Sequence, residues 1–408
     1  MVRDVDLSGT APQSASKPLP WLLALGFGIL VAAIYHFTIP GDTAFDQYRM
    51  LAEAFLKGRV YLTSASMHVE LTQIGSRYYV IPPPLPALLM VPYVAVAGAR
   101  ASQALLLGAI AGGANAMIAL LVAARLTDRR PDRWWLAVLF AFGTIVWHLA
   151  AVGSVWYVAH VIAALALNIA LLETLGAKRP LIIGAAVAAA FWTRLPAVMT
   201  LPFFLLMTVD RWAPDGLRQW RTIRLGYLNA LAAPIAAAVL LNFGYNWLRF
   251  GTIADVAFRM RNNVPREWWF EHGLFHISYI PRHVHTILLA MPVIQPHFPY
   301  VVWSMTGLAI WVSTPAFLFA ARAPLADRAT RAAWAGILPT LAALMTFGNN
   351  GMVQFGYRFA VDFYPLLFYL TLKGMGSPLR PIHKVAIALG VAVNLWGVVW
   401  ERMGWKVL

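Results

Sequence analysis

The chain has 408 residues, of which 60% are hydrophobic and 12% are charged, and its mean hydropathy is +0.65. Soluble domains of this length do not reach such values. The composition therefore excludes a soluble globular protein and predicts an all-α polytopic membrane protein. The net charge of +15 would suggest nucleic acid as a partner of a soluble chain. Here the cations mainly flank apolar segments, where they set topology and contact lipid headgroups, so no nucleic-acid partner is expected. The absence of cysteine excludes disulfides and thiolate metal sites.

The first 40 residues divide into a polar tail and an apolar segment. Residues 1–19 are rich in Ser and Pro and lack an apolar run followed by a cleavage site, which predicts a disordered cytoplasmic tail. Residues 20–40 supply roughly the 20 apolar residues that cross a bilayer core. We therefore expect residues 20–408 to form one transmembrane domain, whose first span delivers residues 41–101 to the outer side.

This first outer loop, residues 41–101, is rich in acids in a chain that has only 17 Asp and Glu residues. Apolar side chains recur at helical spacing from Phe45 to Leu56, whereas Asp46, Glu53 and Lys57 fall mostly elsewhere around the helical wheel. The pattern predicts an amphipathic helix that lies in the membrane interface.

The segment Ile81–Gly98 is apolar enough to span a membrane, but it contains five prolines, which remove backbone donors and break helices. If it spanned, the arginine-rich loops that follow would face outward, against the positive-inside rule. We therefore expect a second interfacial, juxtamembrane helix that does not cross.

With that assignment, the apolar runs predict about eleven transmembrane helices, in a range of about nine to thirteen, and an extracytoplasmic C-terminus. The second long outer loop is predicted at residues 249–298. The eleven spans are expected at roughly Pro20–Pro40, Ser102–Leu126, Trp134–Val152, Val155–Leu175, Leu181–Trp192, Leu195–Val209, Leu225–Leu248, Pro299–Ala321, Ala332–Gly348, Tyr357–Leu372 and Val385–Trp400.

The candidate chemistry comes from outer-face acids, because the sequence has no phosphate-binding GxxxxGK[ST] loop, no GxGxxG and no HExxH. Asp46 lies at the start of the interfacial helix and Asp42 one turn before it, so either carboxylate could act as a general base. Equally, either could simply cap the helix. Glu53 and Glu70 are further candidates for substrate contact, with solvated surface charge as the alternative for Glu53.

Two arginines lie near the outer ends of apolar runs. Arg194 interrupts two such runs. A charged side chain at such a position has a function, pairs with an opposite charge, or extends its charged group to the membrane interface. Its guanidinium could hold a lipid-linked phosphate through two hydrogen bonds. Arg358 lies four residues before Asp362, which fits either an intrahelical ion pair or substrate binding.

The second outer loop carries a cluster of cations and histidines, among them His272, His276 and Arg282. The two histidines are one helical turn apart, but Gly273 weakens a helix there and no third ligand is evident. We therefore expect neither a metal site nor a cofactor, with a divalent metal as the alternative, and interpret the loop as a cover over a substrate.

Several segments, in this order, resemble bacterial membrane glycosyltransferases of the GT-C superfamily. They are similar to the branch grouped with dolichyl-phosphate-mannose protein mannosyltransferases and lipopolysaccharide-core sugar transferases. The similarity runs from about Tyr35 to Pro365 and rests on AFDQYRMLAEAFLKGRVYL, RYYVIPPPLPALLMVP, WTRLP, the loop pieces RFG, EHGLFHISYI, PHFPY and STPAF, and QFGYRFAVDFYP.

The resemblance implies a GT-C-like transmembrane domain that transfers a hexosyl or pentosyl group from a polyprenyl-phosphate donor to a lipid, glycan or protein acceptor. It implies an integral protein of the bacterial inner membrane with a periplasmic or exterior active site. By position, the base maps to Asp42 or Asp46, and inversion by direct displacement is expected. The implied substrate-binding residues are Glu53, Glu70, Arg194, Arg358, Tyr357, His272 and Arg282.

Two other classes compete with a transferase. A lipid-linked sugar flippase or other transporter would favour acids deep within helices and repeated halves. A non-catalytic scaffold would not need acids beside a proline-rich interfacial helix. The acids here concentrate outside the predicted spans, which favours interfacial chemistry.

Overall fold

The computed structural model describes residues 21–39, 41, 43, 45–64, 70–98, 102–214, 216, 222–261 and 267–404. The predicted tail at residues 1–19 therefore lies outside the described residues. Sixteen α-helices and two small hairpins are found in the described part. The helices are α1 (Trp21–Thr38), α2 (Gln47–Leu56), α3 (Leu85–Ala97), α4 (Ser102–Leu126), α5 (Arg130–Phe142), α6 (Val146–Val152), α7 (Val155–Thr174), α8 (Pro180–Phe191), α9 (Leu201–Met207), α10 (Val209–Trp212), α11 (Leu225–Phe250), α12 (Ile280–Val284), α13 (Ile310–Ser313), α14 (Arg328–Met345), α15 (Tyr364–Met375) and α16 (Pro381–Arg402).

Shorter 3₁₀ segments and one π-helix join several of these helices. The 3₁₀ helices lie at Leu195–Thr200, Trp268–Phe270, Ile277–Tyr279, Pro315–Arg322 and Arg358–Phe363, and the π-helix at His285–Leu289. The strands form two antiparallel pairs, β1 (Leu71–Ile74) with β2 (Arg77–Val80) and β3 (Val293–Ile294) with β4 (Val301–Val302).

Five helices of the described residues are long and apolar enough to cross a membrane, namely α1, α4, α7, α11 and α16. The pair α5 and α6, which bends by 47°, makes a sixth if it counts as one broken span. The chain is thus a helical polytopic membrane protein, as predicted. The count of about eleven spans is not confirmed and stays a prediction.

Some predicted spans are not single helices. The largest departure is at Pro299–Ala321, where β4, α13 and a 3₁₀ segment replace one helix. Gly307 has a positive φ of 84°, which interrupts a right-handed helix, and Pro315 lacks the amide donor that a helix interior uses, which weakens a helix there. The predicted span Tyr357–Leu372 likewise begins as 3₁₀ helix and becomes α-helical only at Tyr364.

The first outer loop contains both predicted short helices. The amphipathic segment is confirmed as α2, which packs against α3 through Tyr48, Leu51 and Ala52 in one apolar cluster. With 13 residues, α3 is about 20 Å long, short of a bilayer core of about 30 Å. The hairpin β1–β2 between them was not predicted. It turns at Gly75, which has a positive φ of 60°.

Long-range contacts define two ends of the helical bundle. At one end, here named the α2 end, Arg402 donates to the carbonyls of Phe37 and Thr38, and the amide of Val155 donates to the carbonyl of Phe45 at 2.8 Å. At the opposite end, Lys373 pairs with Asp327 at 2.8 Å and Lys178 pairs with Asp210 at 2.8 Å. The polar contacts of the candidate site lie at the α2 end.

Candidate functional site

The acid at the start of α2 is held against the bundle. Asp46 is the N-cap residue of α2 by backbone position, but its side chain makes no capping hydrogen bond. Its Oδ2 instead pairs with Nε of Arg49 at 2.5 Å, and the residue is 7% exposed. The preceding Phe45 binds α7 through its carbonyl and packs its ring on Trp156. These contacts fix Asp46 beside the N-terminal end of α7.

An ionic cluster surrounds Asp362, a fully buried residue of the 3₁₀ helix Arg358–Phe363, and the side chain of its partner Arg194 is 21% exposed. Arg194 donates to the Asp362 carboxylate from Nε at 3.0 and 3.2 Å and from Nη2 at 2.8 Å. His160 on α7 lies on the same carboxylate, with Nδ1 2.9 Å from Oδ1. The ion pair of Arg358 with Asp362, one of the two alternatives for these residues, is absent from the described residues. A 3₁₀ helix places i and i+3 on one face, which separates residues four apart.

Arg358 is buried, at 6% exposure, and makes no ion pair with a described carboxylate. Its Nη1 donates to the carbonyl of Met352 at 3.1 Å and to Oε1 of Gln354 at 3.2 Å. The guanidinium carbons of Arg358 and Arg194 lie 5.2 and 5.4 Å from the centroid of the same ring, that of Phe359. Two like charges therefore face one ring, and Asp362 neutralises only one of them.

Three buried polar atoms around these arginines have no hydrogen-bond partner within the described residues. They are Nε of Arg358, the hydroxyl of Tyr48 and Nε2 of His160. Tyr48 lies within electrostatic range of Arg194 and Glu70, and Arg358 within range of both as well. Buried polar groups are rarely left without a partner, so these three atoms are candidates for contact with a polar ligand. With two guanidiniums beside it, this place suits an anion such as a phosphate.

Glu70 joins the two outer loops. It lies just before β1 with a positive φ of 56°, and its carboxylate is 3.9 Å from Arg261. Arg261 also pairs with Glu267 of the second outer loop. Burial lowers the pKa of Arg261, and the nearby charge of Glu70 only partly opposes this. Glu70 thus anchors the second outer loop over the first.

The second outer loop also reaches the Arg358 segment through Tyr357. The hydroxyl of Tyr357 is 2.7 Å from Nδ1 of His283, whose Nε2 is 2.8 Å from the carbonyl of Phe347. The neighbouring Arg282 donates to the carbonyl of Gly348 at 2.9 Å and lies over the ring of Trp268. Tyr357 and Arg282 therefore hold the loop on the segment that precedes Arg358.

The remaining candidates are more peripheral. Glu53 is on the exposed face of α2 and pairs with Lys57 at 2.5 Å, a hydrogen bond that lowers the pKa of its carboxyl. His272 is about half exposed and its ring lies 4.9 Å from that of His276. No group of three metal-ligating side chains occurs among the described residues. Asp42 lies outside the described residues.

The sequence did not identify His160, Tyr48 or Asp362 as site residues. His160 was detectable in principle, because an ionisable side chain within an apolar helix such as α7 is costly and is usually functional or paired. Its partner was not detectable, since 202 residues separate it from Asp362. Tyr48 was interpreted only as part of the apolar face of α2.

Comparison with known proteins supports the fold. No protein-family model matches the sequence, and no curated protein matches it either. Among solved structures, ArnT from Cupriavidus metallidurans bound to undecaprenyl phosphate is similar, with a TM-score of 0.55 and 14% identity over 94% of this chain and 69% of ArnT. The apo state of the same ArnT gives a TM-score of 0.53 with 11% identity over 94% of this chain and 76% of ArnT. An Archaeoglobus fulgidus oligosaccharyltransferase gives 0.46 with 12% identity, over 94% and 55% of the two chains.

At these identities the likeness to ArnT shows the fold alone. The chain therefore has the polytopic membrane fold of ArnT, which agrees with the fold that its motifs led us to expect.

Proposed function

We propose that this protein is a membrane glycosyltransferase that moves a sugar from a polyprenyl-phosphate donor to an acceptor at the extracytoplasmic face. The observation that carries the proposal is Arg358, a buried guanidinium that pairs with no described carboxylate and faces the same ring as Arg194. A buried charge without a counter-ion is unfavourable, and an anionic ligand relieves it. ArnT, which has the same fold, was crystallised with undecaprenyl phosphate, a ligand of this chemical class.

In this proposal the reaction is a single displacement that inverts the anomeric centre. The acceptor oxygen attacks C1 of the sugar, the bond from C1 to the phosphate oxygen breaks, and the acceptor proton passes to a carboxylate. Asp46 or Asp42 is that base. Arg358 and Arg194 stabilise the charge that grows on the departing lipid phosphate. No step requires a metal or other cofactor.

The other candidate residues orient the substrates. Tyr357 and Glu70 fix the segments that carry Arg358 and Arg261, and the loop with His272 and Arg282 covers the acceptor. Glu53, on the exposed face of α2, contacts the acceptor from the solvent side. The acceptor is a lipid, glycan or protein, and the protein resides in a bacterial inner membrane with its α2 end toward the periplasm or exterior.

The test is transfer of labelled sugar by the purified protein in lipid, from a panel of undecaprenyl-phosphate sugars. Wild type is compared with Asp46→Asn, Asp42→Asn and the control Asp255→Asn, which removes an exposed acid of the second outer loop. We expect turnover with at least one donor, and its loss by about 100-fold or more in one of the first two variants, as for removal of a general base.

Two outcomes contradict the proposal. If folded wild type binds these lipids but never releases the sugar, the protein is not a transferase, and lipid translocation by a flippase becomes the activity to measure. If both Asp46→Asn and Asp42→Asn keep full activity, the assignment of the base is wrong even though the class stands.

A further inference from the structure

The opposite end of the bundle contains a second cationic site, independent of the proposed transferase. A cavity of about 410 Å³ opens between the ends of α7, α8 and α11. Four cations line it, namely Lys178, Arg179, Arg211 and Arg224. We propose that this cavity binds the phosphate of an anionic phospholipid from the leaflet at that end.

The charges in the cavity are only partly neutralised. Glu173 holds Arg179 through two parallel contacts at 2.9 and 2.7 Å. Asp210 pairs with Lys178 at 2.8 Å and lies 3.8 Å from Arg211. Arg224 makes no ion pair with the described carboxylates. One carboxylate thus serves both Lys178 and Arg211, and positive charge remains for an anion.

Two helix ends add to this field. Both α8 and α11 begin at the cavity, and neither N-cap residue makes a side-chain capping bond. The helices pack closely at Gly184, whose added Cβ would collide with the carbonyl of Leu231. Their N-termini therefore lie side by side, with the positive ends of both helix dipoles at one place.

The backbone at Lys178 is a further sign of a built site. Lys178 has a positive φ of 56°, a conformation that non-glycine residues seldom adopt. Its carbonyl accepts a hydrogen bond at 2.7 Å from the hydroxyl of Tyr227, which lines the same cavity. This contact holds the strained backbone, and with it the Lys178 side chain, at the cavity.

A lipid fits the surroundings better than a free phosphate. Leu181 and Leu225, the residues next to the cavity on α8 and α11, are 60% and 65% exposed. Apolar surface directly beside a phosphate site suits an acyl chain that runs along the two helices. Basic pockets between membrane helices are a recognised setting for anionic headgroups.

The experiment measures bound lipid by native mass spectrometry, after reconstitution in phosphatidylcholine that contains phosphatidylglycerol or cardiolipin. Wild type should retain the anionic lipid in preference to phosphatidylcholine. The double variant Arg211→Gln/Arg224→Gln should lower that preference by about 10-fold or more, because it removes two cations near the phosphate. Arg322 is an exposed cation near the same end of the bundle, and Arg322→Gln should leave the preference for anionic lipid unchanged.

A steric variant separates a defined site from diffuse attraction. An added side chain at Gly226 meets nothing within 4 Å, and Gly226 lines the cavity, so Gly226→Leu adds bulk at the cavity wall without changing charge. Gly244→Leu, on the same helix and equally unobstructed, is its matched control. We expect the first to lose anionic lipid and the second to keep it.

The proposal is overturned if the double variant and Gly226→Leu both retain lipid as wild type does, or if Arg322→Gln loses as much. A third arm adds inorganic phosphate to the protein in detergent and follows thermal unfolding. If phosphate stabilises wild type but not the double variant, and wild type shows no preference for anionic lipid, the site binds a free phosphate. The lipid assignment is then wrong.

Discussion

The carboxylate of Asp362 receives three hydrogen bonds from the guanidinium of Arg194, although 168 residues separate the two positions. Asp362 is fully buried, and His160 on α7 shares its Oδ1. The carboxylate therefore joins three segments: α7, the turn after α8, and the 3₁₀ helix that carries Arg358. This arrangement fixes the direction in which Arg194 points toward the proposed phosphate.

The first prediction concerns the loss of this carboxylate charge. Asp362→Asn keeps the shape but leaves Arg194 and His160 without an anion, and removing one partner of a buried pair costs about 3–5 kcal/mol. We expect a marked fall in the thermal midpoint and weaker binding of undecaprenyl phosphate. Glu53→Gln is the control, because it breaks a solvent-exposed pair with Lys57 that is worth at most about 1 kcal/mol. Equal thermal midpoints for the two variants would contradict the structural role of Asp362.

The second prediction is that removal of the Arg358 charge weakens ligand binding but does not lower the stability of the fold. This guanidinium is buried without a described counter-ion, so Arg358→Met replaces an unfavourable charge by an apolar side chain of similar length. We expect an unchanged or higher thermal midpoint without ligand. Undecaprenyl phosphate should bind at least about 10-fold more weakly, since a hydrogen bond to a charged group is lost.

The measurement for Arg358→Met is thermal unfolding with and without undecaprenyl phosphate. A ligand that binds only the folded state raises the midpoint, and this rise should disappear in the variant. Arg282→Met is a useful comparison, because that arginine already has Glu271 within 3.6 Å and binds two carbonyls. If Arg358→Met unfolds early and still responds to the lipid, Arg358 is a structural residue and the phosphate site lies elsewhere.

The sequence predicted the local features of this fold better than its long-range contacts. The amphipathic period gave α2, and the prolines of Ile81–Gly98 correctly indicated a short helix, because both signals depend on neighbouring residues. The pair Asp46–Arg49, three residues apart, is equally local, but it was not predicted. In contrast, the four-residue spacing left open an ion pair of Asp362 with Arg358 or substrate binding. The ion pair required an α-helix where the chain forms a 3₁₀ helix.

The candidate site was predictable only as a set of candidate residue types. Arg194 was identified because a charge interrupts two apolar runs, but nothing in one sequence indicates that its partner is Asp362 rather than a phosphate. The β1–β2 hairpin was missed because four-residue strands carry little periodic signal. The broken segment Pro299–Ala321 was misassigned because apolar composition does not distinguish a helix from short, irregular apolar pieces.

The third prediction concerns the contact of α8 with α11. A side chain at Gly184 would meet the carbonyl of Leu231, whereas one at Gly244 meets nothing within 4 Å. Small residues let membrane helices approach closely, and overpacking such a contact costs about 1–3 kcal/mol. Gly184→Val should therefore lower the thermal midpoint, and Gly244→Val should lower it less. A similar midpoint for both would show that the two helices can separate at no cost.

The last prediction is a dependence of stability on pH through His283, which lies outside the helices that are long enough to span. Burial, with a smaller contribution from Arg282, lowers the pKa of its imidazole, and the hydrogen bond to Phe347 only partly opposes this. The carbonyl of Phe347 can only accept, so Nε2 donates to it and Nδ1 accepts from Tyr357 in the neutral ring.

Because the folded-state pKa is lowered, the unfolded chain takes up a proton first as the pH falls below the ordinary value of about 6.5. The contribution of His283 to stability is therefore complete above that pH and is lost between it and the lowered folded-state pKa, at up to about 1.4 kcal/mol per pH unit. His283→Gln, whose amide can make both hydrogen bonds without titrating, should show a shallower fall of the thermal midpoint from pH 7 to about pH 5. The half-exposed His272→Gln should keep the wild-type slope. If the thermal midpoint of His283→Gln falls with pH as steeply as that of wild type, the imidazole does not titrate in this range. Another group then causes the loss of stability at low pH.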